Sequence, residues 1–199
     1  EAAIEVFLTK GVSRTTLSDI AKRAGVTRGA IYWHFNNKDD LLEVLWSQLL
    51  LPLEPLRMAS EDPNETDPLG KLHRTHTEYF KALRDDPRLM KILRILVDKY
   101  EVVQDSNEEG GKRVTIVDRH RHYREGQLKL QKLLEQAVRL GQLPDDHDVR
   151  LGSIATISFI DGLSNNCIIS PGTIDMEKQI PLLLDSLLAM LYHGCKIRK

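Results

Sequence analysis

The stretch Thr15–Phe35, TTLSDIAKRAGVTRGAIYWHF, decides the fold, because it spells two short helices joined by a tight turn. Thr16 followed three residues later by Asp19 is a capping-box start, with an acid placed to meet free backbone N–H groups. Leu17, Ile20, Ala21 and Ala24 repeat at helical spacing, so the first helix carries a narrow apolar face whose small residues let a second helix cross closely. Gly25 stands where the chain must leave that helix, a place for a residue that tolerates positive φ. Thr27 can cap the second helix, whose inward residues are Ala30, Ile31 and Phe35. Thr27, Arg28, Gly29, Tyr32, Trp33 and His34 are then left facing outward. An outward Tyr-Trp-His run makes poor sense on a solvated helix and good sense on one pressed against a nucleic acid.

These words, with NNKDDLL at Asn36 to Leu42, resemble the TetR family of bacterial one-component repressors. The match lies in the two-helix spacing with Gly25 in the turn, in Gly29-x-x-Tyr32-x-x-Phe35, and in Lys38 just beyond. The form GAIYWHF is most similar to the branch that controls multidrug efflux pumps. The candidate DNA contacts are Thr15, Thr16, Thr27, Arg28, Gly29, Tyr32, Trp33, His34 and Lys38. Lys38 opens the next helix, where the helix N-terminus also favours a phosphate.

Charge supports the same reading independently. The whole chain has a formal net charge of −1, which by itself would not suggest DNA binding. Between Val6 and Lys38, however, stand six basic residues (Lys10, Arg14, Lys22, Arg23, Arg28, Lys38) and one acid, Asp19, a local net of +5. A duplex binder needs such a patch, because phosphate neutralisation and counterion release supply much of its affinity.

Length and composition set the remaining bounds. At 199 residues the chain can bury a sizeable core, and 41% hydrophobic with 29% charged residues is ordinary for a globular protein. Two cysteines, Cys167 and Cys195, make neither a disulfide framework nor metal-ligand spacing, which fits a cytoplasmic protein. No apolar run is long enough to span a bilayer, so no membrane partner is expected. The chain opens at Glu1, already inside a helical pattern, and further residues ahead of it are expected; in the resembling family these are often basic and touch DNA.

Helix signals dominate the rest, and the fold class reads as all-α with about nine helices. A fourth helix starts at Asn37 and is broken or kinked by Pro52 and Pro55. Further starts stand at Asp67-Pro68 and Asp85-Asp86-Pro87, a long helix ends near Gly141, and the last two helices cover 149–169 and about 174–193. We expect a helix-turn-helix domain at 1–46 and an effector-binding and dimerisation domain at 47–199. Residues 149–169 are apolar nearly all round, and 180–191 carry a wide leucine stripe, so both helices need cover on several sides. The resemblance implies that a second copy supplies part of it, through an isologous four-helix interface. A homodimer would also match a palindromic operator with half-sites roughly 34 Å apart.

Asp161 stands in SFIDGLSNN among Phe159, Ile160 and Leu163, where burying an unpaired carboxylate would be costly, and Asn165 and Asn166 follow. Arg94, Asp98 and Tyr100 similarly interrupt an apolar run. Apolar walls with a few polar anchors suit a binder of small amphiphilic, even cationic, effectors. The resemblance implies that these helices line an effector pocket, which makes Asp98, Asp161, Asn165 and Asn166 candidate ligand contacts; Asp161 paired with a protein group is the alternative. Asp98 departs from the branch, where His or an apolar residue is commoner. The run DRHRHYRE, with His120 and His122 two apart, does not share a helical face and reads as a solvated or salt-bridged surface. No nucleophile–base pair, phosphate loop or metal spacing is found, so neither enzyme activity nor a cofactor or metal is expected. A ligand-responsive repressor is the leading function; a helical carrier or enzyme and an architectural DNA binder are the alternatives.

Overall fold

The computed structural model of the chain describes the backbone of residues 1–98 and 115–196, and side chains at 1–97 and 122–196. Among the described residues every regular element is helical. In chain order they are α1 (Ala2–Lys10), α2 (Leu17–Ala24), α3 (Arg28–His34), α4 (Lys38–Leu50), a 3-10 turn (Leu51–Leu53), α5 (Glu54–Glu61), α6 (Pro68–Asp85), α7 (Pro87–Asp98), α8 (Thr115–Arg139), α9 (Val149–Ile169) and α10 (Gln179–Gly194). The described residues thus hold ten α-helices, in keeping with the all-α reading of about nine, and α5 is a helix of its own. Pro52 sits in the 3-10 turn and Pro55 in the first turn of α5, where a missing N–H costs nothing, so the prolines restart the helix instead of only breaking it.

The chain divides into two compact units, Glu1–Leu51 with Asp86–Ile116, and Pro52–Asp85 with Val117–Lys199. In the first, α1 packs on α2, α2 on α3, and α7 on both α1 and α4. Its core joins Ile4 and Phe7 of α1, Leu17, Ile20 and Ala21 of α2, Ile31 of α3, Leu41, Leu42 and Leu45 of α4, and Ile92, Leu93, Ile95 and Leu96 of α7. Ala24 and Ala30, expected to face inward, are exposed. With only eight and seven residues, α2 and α3 bury little more than one turn each.

The second unit is built on α6, which packs against α5 and α10 and buries Leu72, His76, Tyr79, Phe80 and Leu83. Asp67 holds the start of α6, accepting from the Gly70 N–H at 3.0 Å, from the Gln142 amide at 2.9 Å and from Arg74 at 2.8 Å. A Cβ at Gly70 would lie 2.0 Å from the Asp67 carboxylate, so only glycine allows this close cap. α10 buries Ile180, Leu184, Leu187 and Leu191.

Within the described residues α9 turns one face inward. Its buried residues are largely small or polar: Gly152, Ser153, Thr156, Ile160, Leu163, Ser164 and Cys167. The inward hydroxyls are satisfied along the helix, Thr156 donating to the Gly152 carbonyl at 2.9 Å and Ser153 to that of Arg150 at 2.7 Å. Leu151, Ile154 and Ile169 instead point outward, Ile169 being 70% exposed. No helix among the described residues is long and apolar enough to cross a membrane.

Candidate nucleic-acid interface

The site is assembled by three local devices. Thr16 caps α2: its side chain accepts from the Asp19 N–H at 3.2 Å, while the Asp19 carboxylate accepts from the Thr16 N–H at 2.9 Å. Gly25 takes the left-handed conformation, φ 69°, and the Val26 N–H returns to the Ala21 carbonyl at 3.1 Å, ending α2. Thr27 then caps α3 through the Ala30 N–H at 3.1 Å. These bonds orient the short α3 although it buries only Ile31 fully and Phe35 in part.

The outer side of α3 carries the candidate contacts. Trp33 is 85% exposed and Tyr32 44% exposed. The Arg28 guanidinium lies 5.4 Å from the centre of the Tyr32 ring, within cation–π range, so the two side chains share one stretch of surface. His34 is exposed, its ring 6.4 Å from that of Phe35. Among the described residues a Cβ at Gly29 would meet only the Thr27 hydroxyl, at 3.9 Å. The choice of glycine at this exposed position is therefore not dictated by packing within the chain.

Three other candidate contacts are engaged internally. Thr15 is 2% exposed and its hydroxyl donates to the Gly11 carbonyl at 2.6 Å. The Thr16 hydroxyl donates to Asp19 at 2.7 Å. The Lys38 ammonium donates to the carbonyls of Val12 and Ser13 at 2.8 and 2.9 Å, which leaves one of its three donors for an outside partner. The basic patch is likewise partly spent. Lys10 pairs with Asp19 at 2.7 Å, Arg23 pairs with Glu5, and Arg14 donates to the Lys10 carbonyl. Glu5 lies one residue before the window in which the sequence charge was counted, so that window overstates the available positive charge.

The candidate ligand residues do not form one described cluster. Asp98 ends α7 in the first unit, and its side chain, like Tyr100, lies outside the described residues, as do the side chains of Arg119, His120 and Arg121. Asp161 and Asn166 are exposed on α9 and Asn165 is half-buried, so Asp161 does not occupy the buried apolar setting expected for it. The physical reason is the inward turn of Ser153, Thr156 and Ser164, which carries position 161 to the outside. Beneath it, burial pushes the Tyr79 phenol up to about 12, with the Ser164 hydrogen bond acting in the opposite direction and Asp161 adding a smaller upward push. Sequence reasoning did not single out Tyr79 and Ser164 as a buried polar pair, although Tyr79 recurs at the inward spacing of α6.

Known proteins match along most of the chain. The family described as bacterial regulatory proteins, tetR family, matches residues 1–45, and the C-terminal region of MAATS-type transcriptional repressors matches residues 67–193. The HTH-type transcriptional regulator TtgR of Pseudomonas putida is 38% identical over 200 residues, covering 100% of this chain and 92% of TtgR. SmeT, described as the repressor of the Stenotrophomonas maltophilia multidrug efflux pump SmeDEF, superposes with a TM-score of 0.79 at 27% identity, covering 98% of this chain and 90% of SmeT. NalD, the secondary repressor of the MexAB-OprM multidrug efflux pump in Pseudomonas aeruginosa, gives 0.77 at 30% identity, over 97% of this chain and 94% of NalD.

Proposed function

The chain belongs to the tetR family of bacterial regulatory proteins, and from that membership we propose that it is a ligand-responsive repressor of a multidrug efflux operon. The observation that carries the reading is the exposed pair Tyr32 and Trp33 beside Arg28, on a short helix held by caps more than by burial. Aromatic surface left in water at this density is unfavourable unless a partner covers it, and a helix-turn-helix offers its second helix to the major groove. Thr27, Arg28, Gly29, Tyr32, Trp33 and His34 form the reading surface in this proposal, with Lys38 behind it as a phosphate contact through its remaining donor. Thr15 and Thr16 act by shaping the turn.

The working species is a homodimer on a palindromic operator. α9 and α10 expose Leu151, Ile154, Ile169, Leu182, Met190 and Tyr192, and a second copy seated on that apolar surface removes it from water. The effectors are small amphiphilic molecules, cations among them, with Asp161, Asn165 and Asn166 of α9 as their candidate contacts in the second unit. Support comes from the relatives: SmeT has been solved in complex with triclosan, and SmeT and NalD repress multidrug pumps. Repression and release require that effector and operator weaken each other's binding by the same factor.

Selection of bound duplexes from a random pool tests the reading, since site, symmetry and half-site spacing emerge together. The expected result is a palindrome whose binding weakens with salt and is reversed by triclosan or by tetraphenylphosphonium. Failure to enrich any duplex, or binding insensitive to salt, overturns it.

A further inference from the structure

At the corner between α1 and α2 the carboxylate that caps α2 also meets a lysine. A single oxygen of Asp19, Oδ2, accepts from the Lys10 ammonium at 2.7 Å, the Thr16 N–H at 2.9 Å and the Thr16 hydroxyl at 2.7 Å. The three donors are those an approaching phosphate would use: a cation, a backbone N–H at a helix start and a hydroxyl. In a helix-turn-helix the first of the two helices crosses the DNA backbone, so the N-terminus of α2 is a place where a phosphate is expected to come close. Here a carboxylate of the protein already holds it.

We propose that Asp19 is an internal counter-charge that occupies the phosphate-binding corner of α1 and α2 and holds Lys10 back from the duplex. The inference rests on the DNA-binding reading above. The pair is half open to water, with 44% of the Lys10 side chain and 33% of that of Asp19 exposed. Exposed pairs of this kind add little stability, so Lys10 can change partners at small cost to the fold. The carboxylate remains, however, and repels a phosphate brought to the same corner. Asp19 thereby lowers affinity for every sequence alike. For a repressor this has a use: a weaker sequence-independent grip leaves selectivity to the contacts of α3.

Asp19→Asn keeps the shape and the acceptor oxygen of the cap while removing the charge. Salt titrations of the full chain on a fluorescent duplex of mixed sequence read the outcome. Asp19→Asn should bind more tightly at each salt concentration, with the slope of log K against log salt steeper by about one. Lys10→Met should lower that slope by more in the Asp19→Asn background than in the parent. If folded Asp19→Asn keeps the parental slope, or Lys10→Met lowers the slope equally in both backgrounds, the pair is only a staple between two helices and the proposal falls. Should Asp19→Asn fail to fold, Lys10→Met alone decides: loss of a full unit of slope means that Lys10 already contacts a phosphate and overturns the proposal, and a smaller loss supports it. A parent protein with no salt-dependent binding would instead refute the DNA-binding reading.

Discussion

Trp33 and Gly29 are both explained better by an absent partner than by anything the chain itself provides. Trp33 keeps 85% of its surface exposed, so truncating it removes almost no intramolecular packing. Trp33→Ala and Tyr32→Ala should each lower operator affinity at least about tenfold, or ~1.4 kcal/mol, while thermal stability shifts by no more than about 0.5 kcal/mol for Trp33→Ala and by about 1 kcal/mol for Tyr32→Ala, which also loses the Arg28 contact. A large drop in melting temperature with normal affinity of the folded fraction would place these rings in the core instead. Gly29 makes the complementary case. With open space around its missing Cβ, Gly29→Ala should leave stability unchanged or raise it by up to about 1 kcal/mol through helix propensity. The same methyl group would stand between α3 and a closely approaching duplex, so affinity should fall. Calorimetric melting beside DNA titration measures both, and a variant that binds normally would show that glycine is not needed there for close approach.

At the scale of the helix, what matters is which face each element turns to the protein. α9 spends its interior face on Ser153, Thr156 and Ser164 and leaves Leu151, Ile154 and Ile169 in water; α10 leaves Leu182 64% exposed. Helices that bury hydroxyls while exposing aliphatics fit the second copy proposed for their outer side. Ile154→Glu combined with Leu182→Glu should therefore keep the helical circular-dichroism spectrum while shifting the protein to a monomer in sedimentation, with loss of binding to a palindrome. An unchanged sedimentation coefficient would show that these residues are not the contact of the proposed dimer. Hydropathy along 149–169 reveals that cover is needed on several sides; it does not reveal which side stays inside, because serine and threonine can satisfy their hydroxyls on the carbonyl one turn back and so pack inward without penalty.

The two compact units share one chain that passes between them three times, at 51/52, 85/86 and 116/117. In the second unit stability is tied to the protonation of His76. Its imidazole is buried and bonded to the Leu72 carbonyl at 2.8 Å, and burial pushes its pKa down from 6.5 to about 4. His147 is shifted in the same direction by burial, partly offset by the Leu191 carbonyl and by Asp148 and Asp146. The unfolded chain takes up a proton near pH 6.5 that the folded chain refuses until about pH 4, so acidification through this window destabilises the fold, by roughly 1 kcal/mol per pH unit for one such group. Carboxylates held low by their partners, Asp67 beside Arg74 and Gln142 or Asp85 beside Arg84, lose their contribution only at more acidic pH. Denaturant titrations between pH 7 and 4 should show this slope, and His76→Leu should flatten it; a slope unaltered in His76→Leu would assign it to other groups.

The amino-acid sequence alone determined the helix-turn-helix, its caps at Thr16 and Thr27, its Gly25 turn and the outward Tyr32 and Trp33. Each of these depends on residues within about one helical turn of one another, where spacing and side-chain chemistry act without help from the rest of the chain. The restart of a helix at Pro55 was nearly as local, but Pro52 three residues before it masked the signal. Only the tertiary structure decided that α7, more than thirty residues beyond α4 in sequence, completes the core of the first unit, and that Asp161 is exposed. It alone decided that Lys10, Arg23 and Lys38 are engaged inside the protein. Those outcomes depend on distant partners: a lysine has the same charge in the sequence whether it meets a phosphate, a carboxylate or a carbonyl, and only the folded neighbours choose among them.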